Sequence, residues 1–170
     1  MAHKIYVGVD NGTTGTIACV GECSAKIIET PIVKEQSYTK AKKIISRIDH
    51  LALKQWLIDL MGSGIAPSEV VAVIERPMIN PMRFQASVSA ARSLEATLCV
   101  IEDLGIPHMY VDSRQWQGAL LPKGVQGAPE LKKASMDIGL RLFPDQENVI
   151  RKHKDADAIL IAEWARREQL

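Results

Sequence analysis

The sequence has few cysteines and no long apolar run, and both absences narrow the classes of protein to which it can belong. Three cysteines occur among 170 residues, an odd number, and none forms a CxxC pair. This count excludes a disulfide scaffold and favours a reduced, intracellular protein. No apolar run approaches the ~20 residues that span a bilayer, and the segment MAHKIYVGVD lacks the apolar core of a signal peptide. We therefore expect a cytoplasmic protein with no membrane partner.

The chain also lacks any extreme of composition or net charge. Hydrophobic residues make up 46% of the chain and charged residues 24%, with a formal net charge of +1. These values are typical of a globular chain with a buried core, and there are no internal repeats or low-complexity tracts. Strong nucleic-acid binders are often plainly basic, so the net charge alone does not indicate nucleic acid. The length predicts a single domain over residues 1–170.

The order of apolar patterns predicts a mixed α/β sheet. Strands are predicted over 5–10, 16–21 and 25–33, joined by tight turns into an antiparallel meander. A Lys-rich loop over 34–43 precedes apolar residues at near-helical spacing, which predict a helix over 49–61 or one that starts earlier, at Ile44. Further along, the pattern predicts strands over 70–75 and 108–111, helices over 87–105, 129–143 and 155–169, a short helix from 112 or 113 to 120, and a loop over 121–129. Such an order indicates a five-stranded sheet, antiparallel and then parallel, flanked by helices.

Three acidic residues stand where an apolar segment begins or ends. Asp10 ends IYVGVD, Glu75 ends VVAVIE, and Asp157 opens DAILIAEW. A crossover and a late helix would bring all three to one edge of the sheet, where carboxylate oxygens suit Mg²⁺. Such a site hydrolyses phosphodiesters with two metals roughly 4 Å apart, which activate water and stabilise the leaving oxygen. Asp10 is the natural bridging ligand, because a strand end holds it rigidly.

Each carboxylate alone also has a structural explanation. Asp10 precedes Asn-Gly-Thr and suits a turn, while Asp157 favours a helix dipole and Asp155 suits an N-cap. Glu75 is harder to explain, because a carboxylate in an apolar strand costs several kcal/mol unless it is paired. Arg76 is a candidate partner, although adjacent strand residues point to opposite faces. The joint arrangement is what favours a metal site.

The basic residues are clustered along the chain. Such clusters are candidate contacts for DNA phosphates, which position a duplex without reading its sequence, although a run of charge is also typical of a plain solvated face. The candidates are Lys40, Lys42, Lys43, Arg47, Arg83, Lys123, Lys133, Arg151 and Lys152.

Three segments in order, GVDNGTTGTIA, VIERP and KDADAILIAEWARR, resemble the RuvC-like Holliday-junction resolvases of the RNase H-like superfamily, with short phage and bacterial members the most similar. The resemblance covers nearly the whole chain, since PHMYVDSRQWQGAL and LKKASMDIGLRLFP also fall in the expected places. It implies an RNase H-like fold and a Mg²⁺-dependent endonuclease, with Mn²⁺ able to substitute. The implied activity is the resolution of four-way DNA junctions by paired symmetric nicks, in a bacterial cell or a phage-infected host.

The resemblance also implies roles for particular residues. Asp10, Glu75 and Asp157 match the metal-binding carboxylates of the family. Many relatives have an Asp or His one helical turn before the last Asp, where this chain has Lys154. Asp155 or His153 would then complete the site, and Asp155 is favoured because backbone ahead of a helix can turn it inward.

Two further roles follow from the same resemblance. Lys132 matches a lysine that positions phosphate or water, although Lys133 beside it leaves the register open. An aromatic residue that stacks on bases at the junction is replaced here by Met78, an apolar wedge that would unstack a base step, with Phe84 farther on. Symmetric cleavage needs two active sites and therefore a homodimer. The predicted helix over 87–105, with its Ala/Ser-rich stripe and its apolar residues Leu94, Leu98 and Ile101, is the expected dimer surface. The same stripe could equally pack on the sheet of its own chain, and one face of the helix must do so.

Two other functions fit parts of the sequence. DNGTTG also resembles the first phosphate loop of actin-like sugar kinases and ATPases, but these need two domains and a second phosphate loop, and the chain has no GxxxxGK element. A nuclease-like scaffold that binds nucleic acid without cutting it is the third hypothesis. The intact set of carboxylates argues against that scaffold.

Overall fold

The chain forms seven strands and six α-helices within residues 4–170, the part that the structure, a computed structural model, describes. The strands are β1 (Ile5–Val9), β2 (Thr16–Val20), β3 (Ala25–Glu29), β4 (Ile32–Gln36), β5 (Ile44–Ile48), β6 (Val70–Glu75) and β7 (His108–Val111). The α-helices are α1 (His50–Met61), α2 (Phe84–Asp103), α3 (Ser113–Leu120), α4 (Ala128–Leu142), α5 (Glu147–His153) and α6 (Asp157–Glu168). Short 3₁₀ turns cover Pro67–Glu69, Pro81–Arg83 and Pro144–Gln146.

Five strands form one mixed sheet in the order β3-β2-β1-β6-β7. Antiparallel pairs join β1, β2 and β3, whereas β6 and β7 add as parallel strands. This arrangement confirms the predicted fold class. In the parallel pair of β1 and β6, Val9 lies opposite Ile74. The residues that follow them, Asp10 and Glu75, therefore meet at the carboxyl edge of the sheet.

Helix α6 covers one face of the sheet at unusually short range. Gly8 in β1 makes this possible, because a Cβ at that position would lie 2.1 Å from the carbonyl oxygen of Ala158 and 2.7 Å from the amide nitrogen of Ala162. Both alanines are fully buried. The contact sets the first turn of α6 above the end of β1, so that Asp157 lies next to the strand that leads to Asp10.

Helices α1 and α2 pack on the opposite face of the sheet. Alternation along β1 divides the core between the two faces, since Val7 and Val9 contact this layer while Tyr6 contacts the layer of α6. Ile101 of α2 is 1% exposed and lies inside this core. The expectation that Ile101 contributes to a dimer surface is therefore wrong, whereas Leu94 on the same helix is only partly buried.

The segment from 30 to 48 differs from the sequence-based expectation. The predicted strand over 25–33 ends at Glu29, and the predicted loop over 34–43 and early helix start give way to a separate antiparallel hairpin of β4 and β5. Ile44 pairs with Gln36 and Ile48 with Ile32, so these β-branched residues form a strand despite their helical spacing. Helix α1 begins only after Asp49, whose side chain accepts a hydrogen bond from the amide of Ala52 at 3.0 Å.

The carboxyl-terminal helices also differ in detail from the prediction. Helix α5 was not predicted, and it ends at Lys154, which adopts a left-handed conformation with φ 63°. The helix predicted over 155–169 begins at Asp157, which leaves Asp155 in the short connection before it. None of the helices within residues 4–170 combines the length and apolar character needed to cross a bilayer.

Candidate active site

The carboxyl edge of the central strands brings the predicted acidic residues into one electrostatic environment. Asp10 is partly buried, and burial is the largest cause that raises its pKa, to about 8. The negative charges of Asp157, Glu75 and Asp155 raise it further, whereas Lys132 lowers it. All four acidic residues therefore act on one another, which is a costly arrangement without a cation between them.

Glu75 is held by an indole from α3. The Nε1–H of Trp116, a fully buried residue, donates to Oε1 of Glu75 at 3.0 Å. Burial raises the pKa of Glu75, and this hydrogen bond opposes the shift. Arg76 does not neutralise Glu75: its Nε lies 3.2 Å from Oδ1 of Asp112, and its guanidinium stacks over Tyr110. The structural explanation by an Arg76 partner is therefore wrong.

Asp157 is held by a serine from α4. Ser135, fully buried, donates its hydroxyl to Oδ1 of Asp157 at 2.5 Å and accepts a hydrogen bond from the amide of Ala156 at 3.0 Å. Burial raises the pKa of Asp157 to about 6, although the Ser135 hydrogen bond lowers it. One hydroxyl thus fixes both the start of α6 and the orientation of its first carboxylate.

Asp155 and His153, the two candidates for a fourth ligand, lie in different surroundings. Asp155 is 5% exposed, its Oδ2 lies 3.4 Å from Nζ of Lys132, and its buried Oδ1 has no hydrogen-bond partner within residues 4–170. His153 turns toward β3, with Nε2 3.4 Å from Oε1 of Glu29. A buried carboxylate oxygen without a donor calls for a bound cation or water. The geometry therefore favours Asp155 over His153.

The donor set fits a hard cation. As placed, no three carboxylate, imidazole or thiolate groups in the described part of the chain stand close enough together to form a ready-made metal centre. The oxygen-only donors, the unpartnered Oδ1 of Asp155 and the raised pKa of Asp10 are what Mg²⁺ or Mn²⁺ would satisfy.

A groove of about 490 Å³ runs beside Glu75 and Asp157. Met78 and Arg83 line it, and Met78 is 84% exposed. Two neighbouring apolar side chains, Met82 and Phe84, are likewise exposed. Two hydrogen bonds fix the loop that carries these side chains. The amide of Asn80 donates to the hydroxyl of Ser87, and that hydroxyl donates to the carbonyl of Asn80, both at 2.9 Å. An exposed apolar patch at a fixed position indicates a binding surface.

The other basic candidates are scattered over the surface. Lys132, and not Lys133, faces the carboxylates. Three candidates already have carboxylate partners, namely Arg47 with Glu35 at 2.6 Å, Arg151 with Glu147 at 2.5 Å and Lys152 with Glu29 at 2.8 Å. Lys123 borders a small cleft between α3 and α4, and Lys40, Lys42 and Lys43 are exposed in the turn between β4 and β5.

Trp116 and Ser135 are site residues that the sequence analysis missed. Ser135 follows Lys132 by three residues, which places both on one face of α4, so helical spacing from a suspected site lysine is a usable signal. Trp116 gave no comparable signal, because its contact with Glu75 spans 41 positions of the chain.

Replacing Trp116 by phenylalanine is expected to weaken Mg²⁺ or Mn²⁺ binding by about 10-fold, because partners that orient metal-binding carboxylates typically contribute 10- to 100-fold in affinity. Phenylalanine keeps most of the buried volume but loses the donor to Glu75. Isothermal titration with Mn²⁺ measures the change. Trp56→Phe, on α1 in the opposite core layer, is the matched control. Equal affinities in the folded Trp116→Phe protein and the wild type would show that the indole does not position Glu75.

The fold and the carboxylate edge together define an RNase H-like architecture. No protein-family model matches the chain, and no curated protein sequence matches it. Among solved structures, the chain is similar to T. thermophilus RuvC in complex with a Holliday junction substrate, with a TM-score of 0.54 and 16% sequence identity over 98% of this chain and 96% of that one. A second Thermus thermophilus RuvC structure gives a TM-score of 0.50 and 12% identity over 97% and 96% of the two chains. The chain therefore has the RuvC fold, and the predicted resemblance is confirmed at this level.

Proposed function

We propose that the chain is a metal-dependent endonuclease that cuts branched DNA, above all four-way junctions, through a single nuclease domain. The observation that supports this most is the set of four mutually interacting acidic residues at one sheet edge, with an unpartnered oxygen on Asp155. The similar RuvC structure was solved with a Holliday junction substrate, so the same class of DNA fits a chain with this fold.

Asp10, Glu75, Asp155 and Asp157 are the residues that would hold Mg²⁺ or Mn²⁺. When bound, the metal supplies an activated water and stabilises charge on the leaving oxygen of the phosphodiester. Trp116 and Ser135 keep two of these carboxylates oriented before substrate arrives. Lys132 is 61% exposed at its side chain and borders Asp155, so its ammonium is available to position the scissile phosphate.

The groove beside the site provides a basis for selecting branched DNA. At a junction, base pairs flanking the crossover are open to insertion of an apolar side chain, whereas a linear duplex keeps its bases stacked. Met78 and Phe84 present such side chains, and Arg83 adds a positive charge for the adjacent phosphates. Paired nicks on opposite strands need two copies of the site, so we propose a homodimer.

The phosphate-loop resemblance of DNGTTG has a structural explanation. A Cβ at position 15 would lie 2.2 Å from the carbonyl oxygen of Asp10, so Gly15 is required by the turn itself. The amide of Asp10 also donates to the carbonyl of Thr16 at 3.1 Å, which closes β1 onto β2. Gly15 therefore does not call for a nucleotide and gives no support to the sugar-kinase hypothesis.

A cleavage assay on defined DNA tests the proposed function. The wild-type protein is incubated with a four-way junction labelled in turn on each strand, a fork and a linear duplex, in Mg²⁺, in Mn²⁺ and in chelator. We expect two symmetric nicks on opposite strands of the junction in either metal, and none in chelator. An uncut junction, or a linear duplex cut equally well, would refute the proposal.

A further inference from the structure

The hairpin of β4 and β5 begins beside the active site. At its base, the amide of Thr30 donates to the carbonyl of Gly15 at 3.1 Å. Gly15 itself lies against the backbone of Asp10. The hairpin therefore leaves the main sheet at the same edge as the carboxylates.

The turn of the hairpin also contacts the middle of α2. There, the guanidinium of Arg92 stacks 5.8 Å from the ring centroid of Tyr38, which remains 82% exposed. Two residues earlier in α2, the carbonyl of Ala90 accepts a hydrogen bond at 3.1 Å from Nδ2 of Asn11, the neighbour of Asp10. Since α2 rises ~1.5 Å per residue, the residues that contact Tyr38 and Asn11 are only ~3 Å apart along this helix.

Positive charge is concentrated on this hairpin. Between Ile32 and Ile48 it has five basic residues and one acidic residue, a net charge of +4, whereas the whole chain has a net charge of +1. Glu35, the acidic residue, is already paired with Arg47 at 2.6 Å. Within residues 4–170, no ion pair joins a carboxylate to the other four, namely Lys34, Lys40, Lys42 and Lys43.

Lys42 occupies a backbone position that favours glycine. Its φ is 48°, in the left-handed region that residues with a side chain rarely adopt. The turn is otherwise well formed, since the amide of Ser37 donates to the carbonyl of Lys43 at 2.7 Å and the amide of Lys42 donates to that of Thr39 at 3.0 Å. These hydrogen bonds do not depend on a lysine at position 42. The presence of a lysine there therefore calls for an explanation other than the conformation of the turn.

We propose that the hairpin is a DNA arm whose turn lysines, Lys40, Lys42 and Lys43, contact the phosphate backbone of a duplex arm beyond the cleavage point. Such contacts require a cluster of unpaired positive charge, which is carried by this hairpin, and the hairpin leaves the sheet at the active-site edge. Contacts of this kind do not depend on the DNA sequence. The inference rests on the proposed function, because it presumes a DNA substrate. Every duplex offers phosphates, so the arm strengthens binding to linear and branched DNA alike, and it leaves the choice between them to the groove.

The test is the triple variant Lys40→Gln, Lys42→Gln, Lys43→Gln. Dissociation constants for the four-way junction and for a linear duplex are measured by fluorescence anisotropy in Ca²⁺ over a series of salt concentrations. Each lost phosphate contact reduces the slope of log K against log salt by about 0.9, so we expect a slope smaller by roughly 2 to 3. Affinity at 0.1 M salt is expected to fall roughly 10- to 100-fold for both DNAs, with their ratio unchanged.

Two further variants keep the inference open to refutation. The control variant Lys4→Gln, Lys26→Gln, Lys54→Gln removes the same charge outside the hairpin, and a matching loss there would attribute the effect to net charge. Lys42→Gly keeps the turn conformation, so its melting temperature should not fall while the salt slope decreases by about 1. A wild-type slope in the triple variant would overturn the DNA arm. Failure of the wild type to bind either DNA would instead refute the proposed function.

Discussion

Asp10→Asn is expected to abolish junction cleavage while junction binding persists. Asparagine keeps the size of the side chain but removes the negative charge at the centre of the four-residue set. Metal stabilisation of a developing charge is worth several kcal/mol, and each ~1.4 kcal/mol is tenfold in rate, so the loss should be roughly 10³-fold or more. Single-turnover cleavage of a labelled junction in Mg²⁺ measures the rate, and a mobility shift in Ca²⁺ measures binding.

The control for this experiment is Asp145→Asn, which removes an exposed carboxylate in the 3₁₀ turn before α5. That variant should cut at the wild-type rate. Residual cleavage of Asp10→Asn at more than about a tenth of the wild-type rate would remove Asp10 from the metal site. Loss of binding together with cleavage would instead assign Asp10 to the structure of the sheet edge.

In chelator, the wild-type protein is expected to lose stability as the pH rises from about 4 to about 8. The pKa of Asp10 is near 3.8 in the unfolded chain and about 8 in the folded one. Over this window the native state binds the extra proton, so its stabilisation is complete at low pH and is lost as the pH rises through the folded pKa. At about 1.4 kcal/mol per pKa unit the effect is on the order of 6 kcal/mol, or a melting temperature lower by roughly 10 to 25 °C.

Mg²⁺ should reverse this pH trend. A cation binds the deprotonated carboxylates, so its stabilising effect grows as the pH rises toward 8. Thermal melts from pH 4 to pH 8, with and without Mg²⁺, measure both trends. Asp10→Asn should flatten the metal-free curve above pH 6 and retain a smaller slope below it, because the pKa of Asp157 is also raised, to about 6. A wild-type curve that is flat in chelator and unmoved by Mg²⁺ would contradict the electrostatic picture of the site.

The sheet edge could be predicted from the sequence because its main determinants are local. Asp10 and Glu75 each end an apolar strand, and parallel pairing with Val9 opposite Ile74 then makes them neighbours. Asp157 follows from the apolar start of α6. The close approach of α6 at Gly8 depends on small residues. These residues are visible in the sequence, but the sequence alone does not reveal that they are in contact.

The hairpin and the supporting donors could not be predicted for a physical reason. Isoleucines at 44, 45 and 48 satisfy a helical period as well as a strand, and only the pairing with β4 decides between them. Hydrogen bonds to Glu75 and Asp157 come from Trp116 and Ser135, residues distant in the chain, whose approach depends on packing. Local patterns thus place the candidate metal-binding carboxylates, and tertiary contacts orient them.

The contact of α6 with β1 limits how far the backbones that lead to Asp10 and Asp157 can move relative to each other. With only a hydrogen atom at Gly8 between the two backbones, β1 and the start of α6 are separated there by main-chain atoms. Repacking of surrounding apolar side chains cannot open or close that gap, because none of them lies in it. The backbones that carry the two carboxylates are therefore held at a fixed spacing. Position 8 accepts only glycine as long as that spacing is kept.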